Sequence, residues 1–280
     1  MSASDRRATR SEEASAAPAG PEAAVPEERS RRPRLGLLAL EGRALLELAA
    51  LAPAYPFLRR APRGDGHPVL VLPGFTASDF STGALRSFLR DRGYAAYGWK
   101  LGRNMGPTPE VIRGIAVRLD ELRKRHGRKV SLVGWSLGGI FARELARRFP
   151  HDVRLVITLA SPFRDIMATN VPNPMRQKRN LTLPTDVFQQ YLRAPIPVPM
   201  TAIFSKTDGI ASWRGCVADP GPMTENIEVE SSHLGIGHNP VVLLTIADRL
   251  AQPEGQWKPF ESPKGWRWPL APRVWQGTLP

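Results

Sequence analysis

The chain has 280 residues, 42% of them hydrophobic, enough for one medium domain with a sizeable core plus extensions. Its one cysteine, Cys216, excludes an intramolecular disulfide, so the fold needs no oxidising compartment. The net charge of +13 is not a basic tail: residues 1–60 hold 10 basic against 8 acidic side chains (+2), and residues 61–280 hold 29 against 18 (+11).

Residues 1–34 are rich in Ala, Glu, Arg, Pro and Ser with almost no large apolar side chain, the composition of a disordered extension. No apolar stretch follows the short basic start, so it does not read as a signal peptide. Leu35 to Ala52 reads as a helix ended by Pro53, and a short linker follows to about residue 60. Glu41, Arg43 and Glu47 interrupt its leucines, which argues against a transmembrane span. Two placements are open for it: packed on the domain, or lying on a membrane surface as a peripheral contact through residues 35–52.

From residue 61 to 252 strands and helices alternate. The predicted strands are Pro68–Leu72, Tyr94–Trp99, Val130–Val133, Val153–Leu159, Met200–Phe204 and Ile227–Val229. Predicted helices cover Phe80–Leu89, the stretch starting at Thr108-Pro109, Leu137–Phe149 and Pro240–Leu250. This alternation implies right-handed β-α-β units and a six-stranded parallel sheet, an α/β architecture. The basic run Arg123–Lys129 falls between a helix end and a strand start and reads as a solvated face. No nucleic-acid motif, metal-ligand spacing or phosphate loop accompanies it, so no nucleic-acid partner, metal or cofactor is expected.

The most informative stretch is Val130 to Gly139. A buried strand is followed by Gly134-Trp135-Ser136-Leu137-Gly138, the G-x-S-x-G pattern of a nucleophile elbow, and then by an amphipathic helix. A serine at the tip of such a turn sits in a strained backbone, and the glycines let neighbouring backbone approach. The Leu137 amide then points where a carbonyl oxygen would gain negative charge. In parallel sheets active residues gather at the carboxyl ends of strands, which selects three more loops. The loop after Leu72 carries Phe75, whose amide is the second oxyanion candidate. The loop after Phe204 carries Asp208, a candidate acid, with Asp165 as its rival after the preceding strand. The loop after Val229 carries His233 and His238, either of which can be the base. A serine hydroxyl needs a base to take its proton. Histidine does this near neutral pH, and a buried carboxylate fixes its tautomer. His67, His126 and His151 fall at the opposite end of the sheet and read as structural.

Four stretches together resemble the α/β-hydrolase superfamily, and most of all small bacterial lipases and esterases with a minimal six-stranded core. They are Pro68–Phe75, Gly134–Gly139, Ser205–Gly209 and Ser232–Gly235. The resemblance covers about residues 66–252. It implies an α/β-hydrolase fold with Ser136 as nucleophile, Asp208 as acid, His233 as base, and the amides of Phe75 and Leu137 as oxyanion hole. Pro73 and Trp135 stand where many members have histidine, which puts lipase identity, though not mechanism, in question.

The segment 162–199 is too long for an ordinary connection and leaves the carboxyl end of a strand. It reads as a lid over Ser136, with Met167, Val171, Met175, Leu181, Leu183 and Phe188 on an apolar underside. The Trp- and Pro-rich tail, residues 253–280, is expected to wrap over the domain. The expected activity is hydrolysis of a carboxylic ester through an acyl-enzyme, in the cytoplasm and with a membrane-associated placement open. Transfer to another acceptor, amide cleavage, or a non-catalytic lipid-binding role are the alternatives.

Overall fold

The computed structural model describes residues 31–170, 185–262 and 271–277. The expected disordered extension therefore lies almost wholly outside the described residues, as does the middle of the expected lid.

Six parallel strands form the sheet: β1 (Pro68–Leu72), β2 (Ala95–Gly98), β3 (Val130–Trp135), β4 (Val153–Leu159), β5 (Met200–Phe204) and β6 (Thr224–Glu228). A seventh strand, β7 (Arg273–Val274), pairs antiparallel with β6, and the order is β2-β1-β3-β4-β5-β6-β7. Two residues are too few to show periodicity, so β7 has no sequence signal; Val274 simply meets Ile227 across the edge. β6 also begins earlier than expected, because its first residues, Thr224, Glu225 and Asn226, look polar. Glu225 is nevertheless buried, accepting from Thr201 Oγ1 (2.7 Å), Arg249 (3.0 Å) and the Phe260 amide (2.6 Å).

The central strands are buried throughout and mostly apolar because helices cover both faces. Alternation divides β1 between two layers. Val69 and Val71 join one core with Leu85, Phe88, Val242, Ile246 and Leu250. Leu70 and Leu72 join the other with Ile115, Leu119, Phe141 and Leu145. In chain order the helices are α1 (Leu35–Ala39), α2 (Ala44–Ala49), α3 (Leu51–Leu58), α4 (Gly83–Asp91), α5 (Pro109–His126), α6 (Leu137–Arg148), α7 (Thr185–Arg193) and α8 (Pro240–Leu250). A 3₁₀ turn, Leu40–Arg43, joins α1 to α2. The expected stop at Pro53 does not occur. Pro53 is the third residue of α3, inside the first turn, where its missing N–H has no partner to lose.

At the amino end of the sheet His67 is fully buried between Asp65 (Nδ1 to Oδ1, 2.5 Å) and Ser131 (Nε2 to Oγ, 2.9 Å). Burial is the main effect, and it pushes the His67 pKa from 6.5 down to about 4 against the pull of Asp65. The unfolded chain therefore binds a proton in this range that the folded chain refuses. His67 stabilises the fold above pH 6.5, and that contribution falls away as the pH drops toward 4. The gap corresponds to on the order of 3 kcal/mol. Urea unfolding at pH 7 and pH 4.5 should show a much smaller acid loss in His67→Gln than in the parent; equal losses in both would refute this origin.

Candidate active site

Ser136 sits between β3 and α6 with φ 53° and ψ −120°, a strained conformation for a residue with a Cβ. Its amide donates to the Leu159 carbonyl of β4 (2.8 Å), which holds the turn on the sheet. The turn closes only because its flanks lack side chains: a Cβ on Gly134 would lie 2.4 Å from the Gly138 carbonyl oxygen. The loop after β1 runs past the serine, so that a Cβ on Gly74 would meet Ser136 Cβ at 3.2 Å.

The loop after β1 and the start of α6 carry the two amides proposed for an oxyanion hole, those of Phe75 and Leu137. Thr76 donates to the Asn104 carbonyl (2.7 Å) and Gly139 to the Ser136 carbonyl (3.0 Å). Among the described residues the amides of Phe75 and Leu137 donate to no protein acceptor. Leu137 opens α6, so its N–H has no intrahelical partner and lies at the positive end of the helix. Asn104 fixes the Phe75 loop. It is fully buried, its Nδ2 donates to the Pro73 carbonyl (2.8 Å), and its Oδ1 accepts from Gly106 (3.2 Å). Nothing in the sequence marks Asn104, since it is local to neither the loop nor the elbow.

Asp208 follows β5 and is buried. Its Oδ1 accepts from the amides of Ile210 (2.7 Å) and Ala211 (2.8 Å), and its Oδ2 lies 2.7 Å from Nδ1 of His233. The structure thus brings Asp208 and His233 together. Asp165 accepts from the Met167 amide instead (3.0 Å). His238 packs edge-on against Trp135 and bonds the Ala44 carbonyl through Nε2 (3.2 Å). Trp135 Nε1 also donates to the His233 carbonyl (3.0 Å), so the residue before the serine anchors the histidine loop. Ser136 Oγ and His233 Nε2 form no hydrogen bond among the described residues. Such contacts are often long in free enzymes and tighten around substrate.

Burial alone would pull the His233 pKa down. The Asp208 carboxylate, through its charge and its hydrogen bond, reverses this with help from Glu41, and the net direction is upward. Burial pushes His238 the other way.

In the sequence Glu41 and Glu47 stand out only as interruptions of an apolar helix. Glu41 is 5% exposed, and its carboxylate accepts from the amides of Gly209 (2.8 Å), His233 (3.0 Å) and Leu234 (2.9 Å). Glu47 accepts from the Ser232 amide (2.8 Å) and from the hydroxyls of Ser231 and Ser232 (both 3.0 Å). The N-terminal segment is therefore bound directly to the loops that carry Asp208 and His233. The one signal available was two acids six residues apart on a helix too apolar to need them.

Of the expected lid, Val171, Met175, Leu181 and Leu183 lie outside the described residues. Met167 and Phe188 are partly buried against the same cluster as Phe75, Leu137 and Phe163. The end of the insert is tied down by Arg143, fully buried over the Phe163 ring (4.0 Å), which donates to the carbonyls of Leu192, Arg193 and Ala194.

Residues 69–275 match the sequence profile of the alpha/beta hydrolase family. Among solved structures, Aspergillus fumigatus lipase B is 18% identical with a TM-score of 0.51, over 68% of this chain and 54% of that one. The mature form of Bacillus licheniformis lipase BlEst2 is 17% identical with a TM-score of 0.50, over 69% of this chain and 95% of that one. The chain thus spans about half the length of the Aspergillus lipase, and at these identities the likeness is one of fold. No curated protein matches the chain.

Proposed function

The chain belongs to the alpha/beta hydrolase family, and on that premise we propose that it hydrolyses carboxylic esters through Ser136, His233 and Asp208. The observation that carries this reading is the buried 2.7 Å contact between His233 Nδ1 and Asp208 Oδ2, at the same end of the sheet as the strained Ser136. Asp208 is held by two amides and its other oxygen fixes the imidazole tautomer, leaving Nε2 to act as base. Nε2 takes the hydroxyl proton as Ser136 Oγ attacks the ester carbonyl. The amides of Phe75 and Leu137 stabilise the resulting oxyanion. Collapse expels the alcohol, which receives the proton from the imidazolium. Water, activated by the same imidazole, then releases the acid and restores Ser136. The partly buried Phe75, Met167 and Phe188, packed on the same core cluster, support an apolar acyl chain.

A fluorophosphonate probe should label the protein at Ser136, and p-nitrophenyl esters of graded chain length should be turned over. Labelling without ester turnover would redirect the reading to amide cleavage or transfer to another acceptor. No labelling and no turnover would leave a binding role.

The charge of Glu41 bears on the pH profile. Because it helps hold the His233 pKa up, its neutralisation lowers that pKa, and the base stays unprotonated to lower pH. Glu41→Gln is therefore expected to move the acid limb of kcat/KM to lower pH. An acid limb that stays in place, or rises, would show that Glu41 does not act on the base.

A further inference from the structure

Residues 35–49 carry their polarity on the inside. The two acids, Glu41 and Glu47, face the domain and are bonded to amides and hydroxyls of the His233 loop. The leucines face outward: Leu45 is 74% exposed, Leu46 72%, and Leu35, Leu38, Leu40 and Leu48 are exposed as well. A helix resting on a domain ordinarily shows the opposite pattern. Other exposed apolar side chains lie at the same end of the sheet. Phe80, 94% exposed, lies on the connection after β1, Met105 on that after β2, and Leu234 on that after β6. Each connection leaves the carboxyl end of its strand, as does the Asp208 loop on which the segment rests. Exposed apolar area of this kind on a folded chain marks a surface made for something other than water.

Charge selects the occupant. Residues 31–63 contain seven arginines and two acids, and both acids are directed inward. Arg32 and Arg34 precede the leucines, Arg59, Arg60 and Arg63 follow them, and all five are exposed. Two copies meeting through this face would bring arginines against arginines, which disfavours self-association. A bilayer with anionic headgroups satisfies both features, since it takes leucines into the headgroup–acyl boundary and pairs with the flanking guanidiniums. No helix among the described residues is long and apolar enough to cross a membrane, which fits lying on the surface. We infer that residues 35–60 dock this protein on an anionic lipid surface, with the carboxyl-end rim of the sheet turned toward the bilayer.

The test is flotation of the full chain with vesicles of phosphatidylcholine alone and with roughly one third phosphatidylglycerol, at about 0.1 M and about 1 M salt. Binding is expected to the anionic vesicles, with at least a ~tenfold loss on neutral vesicles, at high salt, or in the Leu45→Ser/Leu46→Ser variant. These leucines contact little of the fold, so the variant should keep the parent melting temperature. Arg59→Ser/Arg60→Ser should weaken anionic binding independently. The inference is overturned if the parent chain does not float, if the leucine variant floats equally well, or if light scattering finds a dimer that the leucine variant dissociates. Flotation requires no turnover, so its failure leaves the hydrolase reading standing. Loss of ester turnover would likewise leave the docking result intact.

Discussion

Ser136→Ala is expected to lower ester kcat/KM by on the order of 10⁴-fold or more, with the fold unchanged. The size of the effect follows from the chemistry: without Oγ no acyl-enzyme forms, and only the oxyanion amides and substrate binding remain. The intact fold follows from the structure. Ser136 is held through its backbone, by its amide on the Leu159 carbonyl and its carbonyl on the Gly139 amide. Both bonds survive the substitution. Alanine has the same Cβ, so the φ of 53° costs it no more than it costs serine. Turnover by the variant at the parent rate, with fluorophosphonate labelling retained, would mean that the elbow has been misread. Equal melting temperatures of variant and parent provide the control.

The second large effect separates two histidines five residues apart. His233→Ala is expected to match Ser136→Ala in lost turnover, because among the described residues the only imidazole hydrogen-bonded to Asp208 is that of His233. Its cost to stability should be about 1 kcal/mol, since the Asp208 carboxylate keeps the amides of Ile210 and Ala211. Glu41 also keeps the amide of residue 233. His238→Ala should retain most activity. It loses an edge contact with Trp135 and a bond to the Ala44 carbonyl, worth about 1 kcal/mol in a typical point variant. The reverse pattern, an inactive His238→Ala and an active His233→Ala, would reassign the base while leaving the hydrolase reading in place.

Much of the fold was legible because its signals are local. β1, β3, β4 and β5 are short, mostly apolar runs, and each is bounded by a turn or a helix start. Thr108 with Pro109 and Asn239 with Pro240 announce two helices, and both side chains do cap them, on Val111 and Val241. The helix through Pro53 was missed because tolerance of proline depends on where the first turn begins, and that is set by how the preceding segment packs. β7 was missed because an antiparallel edge pair of two residues draws its stability from the partner strand.

The sequence by itself determined which residues make up the candidate site. A strand, G-x-S-x-G and a helix place Ser136, and the order of strands brings Asp208 and His233 to the same end of the sheet, since topology fixes which ends of parallel strands meet. Tertiary structure alone decided which groups hold that site in place. Asn104 reaches Pro73 across 31 residues and Glu41 reaches His233 across 192. The reason is physical. A periodicity or a motif is written within a few residues of chain. A buried carboxylate on distant amides is stabilised only once the chain has folded around it, and two acids in an apolar segment do not by themselves say that Glu41 and Glu47 face inward while the leucines beside them face out.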